Sequence, residues 1–117
     1  MTDGTQQALH DQLHALNEQF AKRLDTELAE LGQRAERLSS AREQEQRRQR
    51  MLDLHERLHR LAGSAGTFGF SALGEQARVL EQRAERWLEA ARPSGQALSE
   101  LIQAVQQLAS ATQAGEP

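Results

Sequence analysis

The 117-residue sequence predicts an all-α fold: an antiparallel four-helix bundle with an additional N-terminal helical segment. Three observations carry that prediction. Ala (18), Leu (17) and Gln (15) supply 50 residues, whereas Val, Ile and Thr together supply 8 and Tyr none; strands favour β-branched and aromatic residues, so a sheet is strongly disfavoured. Apolar residues recur every three or four positions almost throughout, which is the period of an amphipathic helix. Polar, Gly-rich or Pro-containing joints then divide the pattern into segments that can fold back on one another.

The first segment carries Leu9, Leu13, Leu16, Phe20, Leu24, Leu28, Leu31, Ala35 and Leu38 in continuous phase. It reads as one long helix or two, with a bend expected near Leu24-Asp25-Thr26, where Asp25 can cap a new helix. Its first half is the additional segment, capping or extending one helix of the bundle. Gly32 inside it costs about 1 kcal/mol relative to Ala, and close helix approach is one reason to find it there. Ser39-Ser40 breaks the pattern, and Arg42 to Arg50 (REQEQRRQR) holds no apolar residue, as expected of a solvated loop running into the next helix. From roughly Gln46 to Gly66, Met51, Leu54, Leu58, Leu61 and Ala65 form the next stripe. Gly63, Gly66, Gly69 and Gly74 mark a glycine-rich joint, with Phe68 and Phe70 expected to plug the bundle end. Leu73, Ala77, Leu80, Ala84, Trp87 or Leu88, and Ala91 give the following helix. Pro93-Ser94-Gly95 is a turn with Ser94 as N-cap. The last helix carries Leu98, Leu101, Val105, Leu108 and Thr112, with Ile102 widening its stripe. The chain is expected to be a single domain over residues 1–117, with 1–4 and 114–117 as frayed tails.

Several functions are excluded at this level. The chain has no Cys, which removes disulfide and thiolate chemistry. No consecutive run of Ala, Val, Ile, Leu, Met, Phe or Trp exceeds two residues, so there is no transmembrane stretch and no apolar core of a signal peptide. Fourteen basic against 17 acidic residues give no field to gather nucleic acid. A cytoplasmic protein is expected, and a monomer, because a bundle can satisfy every stripe internally.

The informative helix is the one from roughly Gln46 to Gly66. At ~100° per residue its core stripe centres about 120° away from His59, so His59 is not a core histidine. Sharing its direction are Leu52 at about +20°, Gly63 at about +40°, Glu56 at about +60°, His55 at about −40° and Ala62 at about −60°. An outward imidazole thus stands among small or apolar groups. Gly63, one turn on, removes any side chain and costs helix stability; access for a partner's backbone or active-site groups is a physical reason for it. Leu52 adds apolar docking area. The plainer alternative is an ordinary surface histidine, with Gly63 serving helix packing.

Residues 58–81, LHRLAGSAGTFGFSALGEQARVLE, shift that balance. His59, Leu61, Gly63, Ser64-Ala65, Gly69, Leu73 and Leu80-Glu81 fall in an order that resembles the signature of histidine-containing phosphotransfer (HPt) domains, the carriers of multistep two-component phosphorelays. The resemblance implies a four-helix bundle with His59 exposed midway along one helix, accepting a phosphoryl group and exchanging it with the aspartate of a response-regulator receiver domain. It implies partners among receiver domains and hybrid histidine kinases, with Mg²⁺ and a lysine supplied by the receiver and no cofactor or kinase activity in this domain. Imidazole suits the task as a nucleophile near neutral pH. The family often has a basic residue three positions after the His; here that place holds Ala62. Arg60, whose long stem could reach back, and Arg48 are the candidate substitutes for neutralising phosphate.

Two alternatives stand beside this reading. A helical interaction or dimerisation module with a degenerate HPt fold would fit the missing basic residue. His55-Glu56-Arg57-Leu58-His59 is also a formal HExxH, in which two His one turn apart bind zinc and Glu56 acts as general base. The extended metalloprotease pattern fails at Ala62 and Ala65, and no strand is available to align a substrate, so zinc proteolysis is a remote alternative, behind opportunistic metal binding by His55 and His59 without catalysis; no metal is assigned to the site. His10 and His14 form another i, i+4 pair, read as solvated surface residues. Arg47, Arg48 and Arg50 read as a solvated face.

Overall fold

The helical period is realised as four helices in the computed structural model, which describes the backbone of residues 2–114 and the side chains of residues 4–110. They are α1 (Thr2–Ser39), α2 (Gln44–Thr67), α3 (Ser71–Glu89) and α4 (Gly95–Ala114). No strand occurs among the described residues. Short joints make neighbours antiparallel, and α2 packs most extensively on α3, followed by α1 on α4. The predicted stripes form one core that includes Leu28, Leu31, Ala35, Met51, Leu54, Leu58, Ala77, Ala84 and Val105. Thr112, Met1 and residues 115–117 lie outside the described side chains.

The joints follow the chemistry read from the sequence. Ser94 Oγ accepts the backbone N–H of Gln96 at 3.1 Å and of Ala97 at 3.2 Å, the N-cap of α4. Gly69 takes a φ of 90°, open to glycine and strained for other residues, and turns the chain between α2 and α3. Phe68 and Phe70 flank it and close one end of the bundle on Phe20, with ring centroids 4.9 and 5.3 Å away. Across the α1–α2 interface, Arg34 meets Asp53 and Arg57 meets Glu30, each at 2.8 Å.

Two expectations about α1 are corrected. There is no bend at Leu24-Asp25-Thr26: α1 is continuous for 38 residues, because Leu24 and Leu28 are both buried in the same core and hold the helix through that point. The additional N-terminal segment is therefore a straight extension of α1. It projects past the bundle and makes the molecule 64 Å long against 25 × 19 Å in section. Leu9, Leu13 and Leu16 are consequently exposed, so the bundle does not satisfy every apolar stripe. At Gly32 an added Cβ would lie 3.6 Å from Ala109 Cβ, an ordinary contact, so helix approach does not demand glycine there.

Gly74 is different. An added Cβ would lie 3.2 Å from the Ala62 carbonyl oxygen and 3.3 Å from the Gly66 nitrogen, both backbone atoms. Its missing side chain sets how closely α3 approaches α2. Gly74→Val is expected to lower stability by about 1–3 kcal/mol through overpacking, measured by urea denaturation; an unchanged midpoint would show that the approach is not constrained there.

Candidate functional site

His59 sits near the middle of α2 with its side chain 70% exposed. Leu58 and Leu61 on either side are buried, so the helix cannot rotate the imidazole inward without exposing them. The ring is nonetheless fixed. Its Nδ1 lies 2.7 Å from Oε2 of Glu81 on α3. A carboxylate can only accept, so Nδ1 carries the proton and donates it. In the neutral ring that leaves the lone pair on Nε2. Glu81 itself is only 12% exposed. It lies seven residues, or two turns, beyond Gly74, so the close approach at Gly74 carries Glu81 to His59.

The predicted surroundings divide by side. Leu52 and Glu56 are exposed, as is Gly63, where an added Cβ would meet nothing within 4 Å. These residues lie at positive angles from His59. Those at negative angles face α3 instead. Ala62 is 4% exposed, packed into the core beside Gly74, and is not a docking residue. His55 is largely covered, with Nε2 3.6 Å from Glu85 and 3.9 Å from Glu81 and no hydrogen-bond partner. It belongs to the α2–α3 contact rather than to an open rim. The helix angles located the core stripe of α2 correctly but could not show that α3 overlaps one flank of His59.

The two arginines considered for phosphate are both engaged elsewhere. Arg60 pairs with Glu56 at 3.2 Å on the outer surface. Arg48 donates to the Leu88 carbonyl at 3.1 Å, eleven residues before His59, where it ties the start of α2 to the end of α3. Neither guanidinium stands over His59. Glu56, required as general base by the HExxH reading, faces Arg60. Among the described residues no group of three or more His, Asp or Glu is arranged to hold a metal ion. His10 and His14 lie exposed on the α1 extension, with ring centroids 6.5 Å apart.

Glu81 is the site residue whose role the sequence reading missed. In the sequence it stands out only within the Leu80-Glu81 match, and nothing in α2 pairs it with His59. The available signal was its seven-residue spacing from a buried-face glycine.

The family model described as "Hpt domain" matches residues 6–111. The chain belongs to that family, which implies histidine phosphotransfer in two-component systems. No curated protein and no solved structure matches the chain. No helix among the described residues is long and apolar enough to cross a membrane.

The contact between Glu81 and His59 predicts one tautomer. At a pH where the imidazole is neutral, ¹⁵N NMR of the His59 ring is expected to show a protonated Nδ1 and an unprotonated Nε2. Glu81→Ala should lower the Nδ1–H population. A wild-type ring protonated at Nε2 would contradict the assignment.

Proposed function

We propose that this Hpt-family chain is a phosphorelay carrier that accepts a phosphoryl group on Nε2 of His59 and exchanges it with the aspartate of a receiver domain. The observation that carries the reading is an exposed imidazole held through Nδ1 by Glu81 at 2.7 Å, which leaves Nε2 as the nucleophilic nitrogen. In the forward step the Nε2 lone pair attacks phosphorus in line, the P–N bond forms, and the P–O bond to the receiver's aspartate breaks. The carboxylate leaves with its electron pair. The ring becomes a phospho-imidazolium whose positive charge is shared over both nitrogens, and its Nδ1–H stays on Glu81. Return transfer reverses each step, so no net proton moves at the ring.

Access and charge then decide the rate. In-line attack needs the receiver's active site within bond-forming distance of Nε2. Exposed Gly63 lets a partner's backbone come near one turn from the imidazole, and Leu52 offers apolar contact on the same side. The two arginines considered for the exchanged charge, Arg48 and Arg60, are both engaged elsewhere. Ala62 stands where the family often has a basic residue, Arg60 is held by Glu56, and Glu81 adds negative charge at the ring. Neutralisation of the transferring phosphoryl group is therefore assigned to Mg²⁺ and the lysine of the receiver. A phosphoryl group on His59 would be repelled by its surroundings, which makes it a good donor and a poor store. The Arg60–Glu56 pair is exposed on both sides and of little intrinsic strength, so Arg60 can be redirected when a partner docks.

The matching proposals are a cytoplasmic setting and receiver or hybrid-kinase partners. The missing cation also favours a second reading, a helical module that binds partners without being phosphorylated. One experiment separates them. Incubation with a phosphorylated receiver domain is expected to give acid-labile, base-stable phosphate on the wild type and none on His59→Gln. Absence of label from every receiver tried would favour the binding-only module, and label on His59→Gln would contradict the site.

Gly63 supplies a sharper test. Replacing it by Leu removes the cost of a helix-interior glycine and should raise stability by up to about 1 kcal/mol. Phosphotransfer should nevertheless slow about tenfold or more, a barrier increase of at least ~1.4 kcal/mol. Unchanged transfer in a stabilised variant would show that close approach at Gly63 is not needed.

A further inference from the structure

The α1 extension presents an apolar face that nothing in the described chain covers. Leu9, Leu13 and Leu16 are 56%, 54% and 48% exposed, yet they continue without a break the stripe whose next members, Phe20 and Leu24, are buried. A helix of this kind has little reason to persist in water unless its apolar side is packed, since most helical stability comes from tertiary burial. Its polar side is ordinary. Its apolar side is unusual in being free of charge. Between Gly4 and Phe20 there is no Lys or Arg, and the carboxylates are Asp11 and Glu18. These lie about 160° and 140° around the helix from Leu13. The stripe is flanked instead by Thr5, Gln6, Gln12 and Asn17, with His10 at one margin.

We infer that this face is the interface of a symmetric dimer, in which the α1 extensions of two copies pack antiparallel about a two-fold axis near Leu13. A charge-free face favours a second copy as occupant. Two identical surfaces meet like against like in an isologous contact, and any charge near the axis would face its own sign. The stripe is also nearly symmetric about Leu13, so the two-fold sets Leu9 of one copy against Leu16 of the other and brings the two Leu13 side chains together. The extension reaches about 27 Å beyond the bundle at 1.5 Å per residue. That overlap alone falls short of the roughly 1,000 Å² expected of a specific interface. Antiparallel overlap of that length, however, carries each N-terminal end to the other copy's Phe20, Phe68 and Phe70 cluster, where Phe68 and Phe70 are only partly buried. The interface thereby continues from the leucine stripe onto the bundle end. His59 remains free, because it lies nine residues, about 13 Å along α2, before the Phe68 end of the bundle. The dimer does not rest on the phosphotransfer reading.

The absence of cysteine makes the geometry directly testable. Leu13→Cys is expected to form an intermolecular disulfide under mild oxidation, whereas Ala15→Cys, about 160° around the helix, should not. Sedimentation of the wild type at about 100 μM, in the range where interfaces near the size threshold are populated, should give twice the monomer mass. Leu13→Glu should give the monomer with its helical circular dichroism largely retained. A monomeric wild type without the Leu13→Cys cross-link would overturn the dimer and leave a different protein as the occupant of the face. Equal cross-linking at positions 13 and 15 would equally overturn it, as the mark of random collision.

Discussion

The distance between α2 and α3 governs the site. Three places on α3, each two helical turns apart, meet α2 in antiparallel order: Gly74 against the backbone of Ala62 and Gly66, Glu81 against His59, and the Leu88 carbonyl against Arg48. The first admits close approach because it has no side chain. The second uses that approach to hold an imidazole. The third ties the far end. Buried Leu73, Ala77, Leu80 and Ala84 fill the same interface with a mixture of large and small side chains. A change at Gly74 would therefore be felt at His59, four turns of packing being shared between them and the loop at Gly69.

Within that frame the chemistry is economical. One carboxylate both orients the ring and chooses its tautomer, and it leaves the other nitrogen unprotonated in the neutral ring. In the proposed role the protein would supply a nucleophile, its direction and an open approach. The charge-bearing parts of phosphoryl transfer are then assigned to the partner, consistent with carboxylates beside the two histidines. Membership in the Hpt family and the local geometry thus agree on the kind of chemistry, while the position of Ala62 distinguishes this chain from the common family pattern.

The fold was legible because each helix repeats its apolar residues at the helical period and each joint carries turn chemistry, as at Ser94 and Gly69. His59 could be placed outside the core from α2 alone. What α2 alone could not reveal was which flank of His59 a second helix would cover. Ala62 and His55, read as open, lie beneath α3, whereas Leu52 and Gly63 lie on the uncovered flank. Arg48 was within reach of several sites in sequence terms, and its carbonyl acceptor on α3 is a tertiary fact. The expected bend in α1 failed for a related reason. A side chain able to cap a helix does not end one when the residues on both sides of it, here Leu24 and Leu28, are held in a common core. Continuity of α1 in turn leaves the N-terminal leucines without an internal partner.

The proposed phosphorelay role turns on Glu81 committing His59 to present Nε2 to the receiver's phosphoryl group. The most direct measurement is ³¹P–¹⁵N correlation NMR on the ¹⁵N-labelled protein after phosphorylation by a receiver domain, which identifies the nitrogen bonded to phosphorus. Coupling to Nε2 of His59 is the expected result; coupling to Nδ1 of His59, or to either nitrogen of His55, would contradict it.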